Sequence, residues 1–420
     1  MNKVLIITYY WPPSGGAGVQ RWLKFSKYLP EFGWEPIILT VDPYYAAYPI
    51  LDKSLEKDIQ ESIEVYRTKA TDWFRLYKND KSGIPAAGFA KNMDNSIKGK
   101  FFRFIRGNFF IPDPRRGWNK YAFTKACELI AEEEIRTVVT TSPPHSTQLI
   151  GLRLKKKYPG IKWISDLRDP WTDIYYYNLF YPTFISRFID KKYEVSVLRK
   201  ADIITTVGFS LGKNFESKVI GKGEKIRIIH NGYDESDFEN ITEQKPDRFT
   251  ISYTGTLSES YPVDGFIRAV RSATSKGADI SLKFTGLVSE VQKKQISFSV
   301  EKDHMEFIPY SDHHAAIGNM MSSSLLLLVI AKHPDNRSFL SGKLFEYLAS
   351  GKPILCLGPV DGDAAEILER YHLGKCFSYD DADGIEKYIL STMIIPPDME
   401  KNIPVEFSSR ALAKQVASLL

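Results

Sequence analysis

Apolar runs of strand length recur along the chain, and amphipathic helical stretches separate them. The first run, KVLIIT (residues 3–8), leads through a glycine-rich loop and a helical pattern into EPIILT (residues 35–40), an arrangement that predicts a βαβ unit. Further strands are predicted over residues 62–67, 136–141, 161–166, 202–207 and 225–231, with helices such as 118–133 and 146–157 between them. Runs of this kind, apolar at nearly every position, are typical of parallel strands covered on both faces.

A second series of the same kind follows a polar stretch over residues 234–248. Its strands are predicted at residues 249–255, 280–286, 305–310, 324–330 and 352–358, and helices fit between them. The sequence therefore predicts an α/β protein of two doubly wound, Rossmann-like domains. The first covers residues 1–235, with a basic, aromatic insertion near 72–118, and the second covers residues 236–420 and ends in a helix.

Composition narrows the class of protein. The 420 residues are 43% hydrophobic and 25% charged, as in ordinary globular domains. The longest apolar run, residues 325–331, is too short to span a membrane, and the apolar stretch at the N-terminus is too brief for a signal peptide, so we expect a cytoplasmic protein. Three distant cysteines have no metal-ligand spacing, and no Asp-x-Asp pair stands in a setting that indicates a bound metal.

The loop after the first predicted strand, SGGAGVQR (residues 14–21), favours contact between backbone and an anion. Gly15, Gly16 and Gly18 would let the backbone approach a ligand, and the following helix offers free N–H groups and the positive end of its dipole. A dinucleotide fingerprint needs a third glycine where Arg21 stands and an acidic residue closing the next strand, and the sequence has neither. A plain strand-to-helix turn is the alternative.

Two further loops place polar groups at the carboxyl ends of predicted parallel strands, where open α/β sheets bind ligands. The stretch TTSPPHS (residues 140–146) puts His145 at the start of a helix, and WISDLRDPW (residues 163–171) carries Asp166, Arg168 and Asp169. A capping or packing role for His145 and mutual pairing of the charged groups are the alternatives. The turn signal Asn231-Gly232 closes the first half.

In the second half, SGKLFEYLASGKPIL (residues 341–355) predicts a short amphipathic helix whose polar face carries Lys343 and Glu346, three residues apart. An exposed ion pair between them would stabilise the helix by only about 0.2–0.5 kcal/mol and would leave Ser341 and Gly342 unexplained. A nucleoside diphosphate accounts for all four residues. The helix N-terminus and Lys343 would take phosphate charge, and Glu346 would accept hydrogen bonds from the ribose hydroxyls.

The chain resembles glycosyltransferase family 4 in a series of motifs that keep their order: PPSGGAGVQRWLKFSKYL, SPPHS, DLRDPW, HNGYD, YTGTL and GKLFEYLASGKPIL. The resemblance spans nearly the whole chain. It implies a GT-B fold, in which two Rossmann-like domains face each other across a cleft, and transfer of a sugar from a nucleotide-diphosphate sugar with retention. It also implies an enzyme without cofactor or metal, in which helix dipoles and cationic side chains stabilise the leaving diphosphate.

The resemblance assigns roles residue by residue. The three loop glycines match the element that faces donor phosphate and acceptor, His145 is similar to a histidine near the reacting sugar, and Glu346 matches the glutamate that binds the donor ribose. The catalytic candidates are His145, Lys343, Asp166 and Arg168. The donor-binding candidates are Gly15, Gly16, Gly18, Arg21, Asn231, Gly255, Thr256, Arg337, Ser341, Gly342 and Glu346.

Two departures from the family pattern concern the donor phosphates. The family often has a second glutamate where this chain has Ser338, and often an Arg and a Lys after the TG of its second domain, where this chain reads YTGTLSESYPVDG. Lys343, Arg337 and Arg21 are therefore the candidates for compensating the phosphate charge.

The insertion is the basic part of the chain. Thirteen Lys and Arg against four Asp lie over residues 66–120, which gives this stretch +9 and leaves −4 for the rest. Within it, residues 96–118 interleave basic residues with five phenylalanines, a mixture typical of membrane-surface segments. The sequence leaves open a helical insertion packed on its domain or, with less support, nucleic-acid binding.

The sequence thus predicts a glycosyltransferase that takes a nucleotide-sugar donor and a saccharide or lipid-linked saccharide acceptor, as in the biosynthesis of a surface polysaccharide, lipopolysaccharide or capsule. An anionic membrane surface on the inner face is a further expected partner, and nucleic acid is not. A sugar-nucleotide epimerase or hydrolase with the same fold, or a catalytically silent nucleotide-sugar or lipid-binding protein, are the alternatives.

Overall fold

The computed structural model describes residues 1–71, 96–219, 223–239, 241, 245–298, 300–309, 311–334, 336–394 and 403–420. The chain divides into two compact units: residues 1–230 with 409–420, and residues 231–408. Among the described residues, no helix combines the length and the apolar character needed to cross a bilayer.

The first unit is built on a seven-stranded parallel sheet in the order β3-β2-β1-β4-β5-β6-β7. Its strands are β1 (Asn2–Ile7), β2 (Trp34–Val41), β3 (Glu64–Thr68), β4 (Thr137–Thr141), β5 (Lys162–Leu167), β6 (Ile203–Thr206) and β7 (Ile226–Ile228). Its helices are α1 (Ala17–Tyr28), α2 (Ile97–Phe109), α3 (Asn119–Glu132), α4 (Gln148–Lys157), α5 (Phe184–Lys200) and α6 (Phe209–Ser217).

The second unit repeats this plan on a six-stranded parallel sheet in the order β10-β9-β8-β11-β12-β13. Its strands are β8 (Phe249–Thr254), β9 (Ile280–Thr285), β10 (Met305–Ile308), β11 (Leu325–Val329), β12 (Ile354–Leu357) and β13 (Gly374–Phe377). Its helices are α7 (Asp264–Ser275), α8 (Glu290–Ile296), α9 (His313–Met321), α10 (Gly342–Ala349), α11 (Asp363–Arg370) and α12 (Ala382–Ile394).

Successive side chains of a strand point to opposite faces of the sheet, and helices cover both faces. The strands are therefore apolar at nearly every position. Within β11, Leu325 and Leu327 belong to one buried cluster, and Leu326 and Leu328 belong to the cluster on the other side. Strand β1 divides its side chains between two clusters in the same way. The predicted α/β class with two parallel sheets is therefore confirmed.

The last helix, α13 (Ser409–Ala417), lies in the first unit, whereas the sequence assigns it to the second domain. Its apolar side, which includes Leu412 and Val416, is buried in the same cluster as residues of α1. At its end, the Thr137 hydroxyl donates to the Leu420 carbonyl at 3.2 Å. The helix thus adds to the cover of the first sheet, and its packing beside α1 joins the two ends of the chain.

Both sheets contain a switch point, which is the position where the order of successive strands across the sheet changes direction. In the first unit this point lies between β1 and β4, and in the second between β8 and β11. The loops that follow these four strands flank the crevices in which open α/β sheets bind ligands.

Candidate functional site

The glycine-rich loop follows β1, at the switch point of the first sheet. Gly16 takes φ +85° immediately before α1, a conformation that favours glycine. Gly18 lies against an aromatic ring, since an added Cβ would come within 3.3 Å of the Tyr10 ring. The Gly15 N–H donates to the Ile50 carbonyl at 3.0 Å. The loop therefore brings bare backbone to the start of α1, whose N-terminus has no side-chain cap.

Asp166 lies at the centre of a buried polar network and is fully inaccessible to solvent. Its carboxylate accepts hydrogen bonds from Arg21 Nη2 at 3.1 Å and from three neutral donors at 2.8 Å each: Trp22 Nε1, Thr141 Oγ1 and Thr205 Oγ1. Burial alone would raise the pKa of the Asp166 carboxyl, but Arg21 and Arg168 lower it below its usual range. This carboxylate therefore stays charged and ties α1 to β4, β5 and β6.

Arg21 and Arg168, both candidates from the sequence, donate hydrogen bonds to the backbone around Asp166. Arg21 also donates from Nη1 to the His230 carbonyl at 2.7 Å. Arg168 donates from Nε to the Ser142 carbonyl at 2.6 Å and from Nη2 to the Gly18 carbonyl at 3.0 Å. Arg168 thus links the loop after β4 to the glycine-rich loop after β1.

His145 begins a single turn of 3-10 helix that precedes α4. Its ring centroid lies 4.9 Å from that of Trp171, and its Nε2 lies 3.4 Å from the Asp169 carbonyl. Burial lowers the pKa of His145, although Asp169 and Asp113 act in the opposite direction. The imidazole is therefore neutral at pH 7 and could exchange a hydrogen bond with a sugar hydroxyl.

Two side chains that sequence reasoning missed fix this turn. The Asp113 carboxylate accepts from the Ser146 N–H at 2.8 Å and from the Ser146 hydroxyl at 2.9 Å. Asn119 Nδ2 donates to the Ser146 carbonyl at 2.8 Å. The run IPDPRRGW, which contains Asp113, carries turn signals, but nothing in it indicates the distant partner.

In the second unit, Lys343 and Gly255 lie together at the end of β8. Gly255 takes φ +117°, and a Cβ there would lie 2.8 Å from Lys343 Nζ. The Lys343 ammonium donates to the Tyr253 hydroxyl at 2.9 Å and lies 4.4 Å from the centroid of that ring. The Tyr253 hydroxyl in turn donates to the Thr256 carbonyl at 2.5 Å. The structure thus joins three residues that the sequence singled out in two separate motifs.

The helix α10 begins as its sequence predicts. The Ser341 hydroxyl accepts from the Lys343 N–H at 3.3 Å, which is an N-cap, and an added Cβ at Gly342 would meet no described atom within 4 Å. Leu344, Phe345 and Leu348 are buried, whereas Lys343 and Glu346 are only half-buried. The polar face of this helix is therefore open at its start.

Glu346 has a neighbour that the sequence did not reveal. Its Oε1 lies 4.0 Å from His313 Nδ1, at the start of α9, and the other ring nitrogen of His313 lies 3.1 Å from Asp237 Oδ2. Asp237 lies three residues after the HNGYD motif (residues 230–234), and Asn231 of that motif is the first residue of this unit. The imidazole of His313 therefore lies between the carboxylates of Asp237 and Glu346.

Arg337 and Glu259 are two further side chains of the second unit that bear on ligand binding. Arg337, a predicted phosphate ligand, pairs with Asp361 at 2.7 Å on the surface, where both side chains are mostly exposed. Glu259, in the loop after β8, is half-buried, and its Oε2 is inaccessible to solvent and accepts no hydrogen bond within the described residues. A buried carboxylate oxygen without a donor is unusual, and ligand hydroxyl groups can supply such a donor.

The insertion presents an apolar, basic face. Helix α2 packs on α5 and on the turn before it: Asn108 Oδ1 accepts from the Thr183 N–H and the Ser186 hydroxyl, both at 2.7 Å. On these elements, which we call the α2–α5 surface, the following large apolar side chains are exposed: Ile97, Phe101, Phe104, Phe109, Leu179, Tyr181, Phe184, Ile185 and Phe188. The exposed basic residues beside them are Lys98, Lys100, Arg187, Lys191 and Lys192. The part of the predicted insertion over residues 72–95 lies outside the described residues.

One group of side chains in the described part of the chain could hold a metal ion. It consists of Glu301, Asp303 and His304, of which the two acidic residues are exposed. None of the residues of the two switch-point sites belongs to it.

No protein family model matches the chain, and no curated protein matches it. Solved structures match it over its whole length. A glycosyltransferase from Rickettsia africae is 15% identical, with 100% of this chain and 97% of that chain covered and a TM-score of 0.63. Anabaena HepE in complex with UDP and glucose is 14% identical, with 100% and 99% covered and a TM-score of 0.61.

A UDP-N-acetylglucosamine 2-epimerase, described as putative in its name, from Listeria monocytogenes is 13% identical, with 99% and 94% covered and a TM-score of 0.53. At these identities the likeness shows the fold alone. The chain therefore has an α/β fold of the GT-B type, with two Rossmann-like units, as the sequence predicts.

Proposed function

We propose that the protein is a glycosyltransferase that moves a sugar from a nucleotide-diphosphate sugar to a saccharide or lipid-linked saccharide acceptor. The observation that carries this proposal is the grouping at the switch point of the second unit, where Lys343 lies against Gly255 and Glu346 lies one helical turn away. The likeness in fold to HepE, solved with UDP and glucose, supports this choice of donor.

Lys343 is suited to bind the donor phosphates because its charge is uncompensated. Its partner is the neutral Tyr253 hydroxyl, and among the described residues no carboxylate lies within ion-pair distance of its Nζ. A half-buried ammonium beside a glycine turn and at the start of a helix would attract a diphosphate. Glu346 would accept hydrogen bonds from the ribose hydroxyls, and Glu259 would accept one from a hydroxyl group of the donor.

The chemistry that we propose is displacement at the anomeric carbon with retention and without a metal ion. Negative charge grows on the departing diphosphate, and Lys343 and the N–H groups at the start of α10 would stabilise it. In the first unit, His145 would hydrogen-bond to the reacting sugar. Asp166, Arg21 and Arg168 would act as positioning residues, because their hydrogen bonds hold the loops that carry Gly18 and Ser142.

A sugar-nucleotide epimerase is the second candidate, and the likeness to the Listeria structure favours it. The two functions differ in what they do without an acceptor. An epimerase would change the donor sugar by itself, whereas a glycosyltransferase would leave it largely intact until an acceptor is added. A silent binding protein would bind the donor and release nothing.

The donor site can be tested by thermal denaturation with UDP, GDP, ADP and their sugars. A ligand that binds only the folded state raises the melting temperature as its concentration exceeds the dissociation constant. We expect one nucleoside diphosphate to raise it and its sugar conjugate to raise it further. If none of these ligands shifts the melting temperature, the donor proposal is overturned.

We also propose that the α2–α5 surface binds an anionic membrane. Its aromatic side chains can enter the lipid interface while its lysines and arginines meet the headgroups, each at about 1 kcal/mol near such a surface. Residues of α5 contribute as much to this surface as those of α2: Phe184 is 84% exposed and Ile97 is 89% exposed.

Co-sedimentation with phosphatidylglycerol vesicles tests the membrane proposal. Changing Phe184 and Phe188 to Ser, or Lys98 and Lys100 to Ser, should release the protein into the supernatant, and added salt should weaken binding of the unmodified protein. The matched control is Phe298→Ser, because Phe298 is 73% exposed but belongs to the second unit. Binding that is insensitive to lipid charge and to both double substitutions would exclude this surface.

A further inference from the structure

Two of the three cysteines lie side by side in the second sheet, although α11 separates them along the chain. Cys356 belongs to β12 and Cys376 to β13, and the register of these parallel strands makes the two residues direct partners. Partners in register point their side chains to the same face of a sheet. Accordingly, Cys356 belongs to the buried cluster under α10 and α11, and Cys376 packs against that cluster. The two thiols are therefore neighbours on one face.

The spacing of the two strands suits a disulfide bond. Neighbouring strands lie about 4.7–4.9 Å apart, and the Cα atoms of a disulfide lie about 4.4–6.8 Å apart. Both cysteines are free thiols in this structure. The backbone of the sheet therefore already holds Cys356 and Cys376 at a separation from which their sulfur atoms can be joined.

The two thiols differ in their access to solvent. Cys356 is 0% exposed, whereas Cys376 is half-buried on β13, at the edge of the sheet. A small oxidant would therefore reach Cys376 first, and the sulfenic acid formed there condenses readily with a neighbouring thiol. Cys127 is also half-buried but belongs to the first unit, whereas both other cysteines belong to the second. It offers a matched control within the same chain.

The thiol pair is connected to the segment that leads into α10. The Cys376 thiol donates to the Pro359 carbonyl at 3.7 Å, in the loop after β12. In the same loop, a Cβ added at Gly362 would lie 2.9 Å from the Pro359 ring and 3.0 Å from the Arg337 carbonyl oxygen. The loop after β12 thus packs directly against the segment around Arg337, and the Cys376 thiol is one of the groups that hold it.

We propose that Cys356 and Cys376 form a reversible disulfide when the protein meets a peroxide, and that this bond weakens binding at the proposed donor site. The Cys376 sulfur attacks one peroxide oxygen, which gives a sulfenic acid and releases one water. The Cys356 sulfur then attacks the sulfenic sulfur, which forms the S–S bond and releases a second water. Two thiols are thereby oxidised while one hydrogen peroxide is reduced. The Cys376 thiol no longer donates to Pro359, so the loop after β12 loses a contact.

The disulfide can be tested without donor or turnover. The full chain is treated with hydrogen peroxide in the presence of dimedone, which traps sulfenic acids, and its peptides are analysed by mass spectrometry. We expect a linked pair of peptides that contain Cys356 and Cys376, lighter by two hydrogen atoms and separated again by dithiothreitol. Cys127 should instead take up dimedone, and in Cys356→Ala so should Cys376.

Dimedone on Cys376 in the unmodified protein, or a Cys376 thiol that stays reduced when Cys127 is oxidised, would overturn the disulfide. This comparison within one sample of unmodified protein does not depend on how a variant folds.

The effect on the donor site rests on the proposed function and is tested separately. The nucleoside diphosphate that stabilises the protein is titrated into the reduced and the disulfide-bonded forms. We expect binding to the disulfide-bonded form to be weaker by roughly 5- to 150-fold, the usual range of coupling between two sites. Dithiothreitol should restore it, and peroxide should not change it in Cys376→Ser.

The outcomes separate the two proposals. Equal affinity of the reduced and the disulfide-bonded forms would overturn the regulatory role and leave the glycosyltransferase proposal standing. If the disulfide forms but no nucleotide binds to the reduced protein, the thiol pair stands as a site of oxidation and the donor proposal fails.

Discussion

Charged side chains of the two units differ in how far the protein itself satisfies them. Asp166 accepts four hydrogen bonds and is inaccessible to solvent, so donors within the first unit already satisfy its charge. Lys343 makes one hydrogen bond to a neutral hydroxyl beside an open turn. A charge that the protein leaves uncompensated is the better candidate for a ligand contact, and this difference separates positioning residues from binding residues.

Replacing Lys343 by Met tests its part in catalysis. The substitution keeps an apolar chain over the Tyr253 ring and removes the charge, so turnover should fall by roughly 10²- to 10³-fold, as when one preorganised donor is lost. The melting temperature should change no more than in Lys375→Met, where an exposed lysine lies 5.4 Å from the centroid of Phe377 in the same unit. A turnover within about twofold of the unmodified protein, roughly 0.4 kcal/mol, would place Lys343 outside the proposed site.

Replacing Glu346 by Ala tests the ribose contact. Losing hydrogen bonds to a charged group should weaken donor binding by about 1.5–3 kcal/mol, measured by calorimetric titration with the nucleotide that stabilises the protein. The control is Glu366→Ala, which removes an exposed carboxylate paired with Arg370 at 3.1 Å in α11. Equal donor affinity in both variants would count against the role of Glu346.

The carboxyl group of Asp190 is expected to make stability depend on pH. It accepts from Nε1 of Trp171, the ring that lies beside His145, at 2.7 Å. Burial raises the pKa of the Asp190 carboxyl to about 6, above the ordinary value of 3.8. A carboxyl with a raised pKa in the folded state stabilises the protein below its unfolded pKa, and this stabilisation is lost as pH rises through the folded value.

Asp190→Asn should therefore abolish this loss. Compared with the unmodified protein, its free energy of unfolding in urea should rise by about 1–2 kcal/mol on going from about pH 5 to about pH 7.5. A difference between the two proteins that is constant over this range would show that Asp190 titrates normally.

At the residue scale, the sequence singled out groups that stand in motifs and missed groups whose contacts involve distant partners. Lys343, Glu346 and the loop glycines follow strand ends in recognisable patterns. Asp113, His313 and Glu259 stand in stretches without such a pattern. Asp113 accepts from Ser146, His313 lies near Glu346, and one carboxylate oxygen of Glu259 has no donor among the described residues. Only the folded chain brings these partners together.

At the scale of the element, periodicity predicted the parallel strands because burial on both faces leaves a continuous apolar run. The strand β13 escaped prediction because GKCF is short and alternates in polarity at the edge of its sheet. The location of α13 escaped for a different reason. An amphipathic pattern indicates that one face is buried, but it does not indicate which sheet buries it.

The packing of α13 can be tested by Leu412→Ala. Leu412 is 1% exposed, and a buried Leu→Ala change costs about 2–5 kcal/mol through lost transfer energy and the cavity left behind. Arg410→Ala on the same helix removes an exposed ion pair with Glu31 at 2.6 Å and should cost at most about 1 kcal/mol. Urea denaturation compares the two. If Leu412→Ala were as stable as the unmodified protein, the packing of α13 would contribute nothing to the stability of the first unit.

At the scale of the whole molecule, the two units share one strand order over six strands, to which the first unit adds β7, and each places candidate residues on loops that leave the switch point of its own sheet. The second unit has an uncompensated cation and a carboxylate that suit a nucleotide diphosphate. The first unit has a neutral imidazole and an apolar, basic surface that would suit a lipid-linked acceptor. The proposed chemistry is therefore divided between the two units, with donor binding in the second and acceptor binding in the first.

This division can be tested by following the label from radioactive nucleotide sugars into a bacterial lipid extract. We expect nucleoside diphosphate to be released only when extract is present, the label to appear in the lipid phase, and both processes to fall together in Glu346→Ala. An altered donor sugar in the absence of extract, or donor binding with no label in lipid for any of the nucleotide sugars, would contradict it.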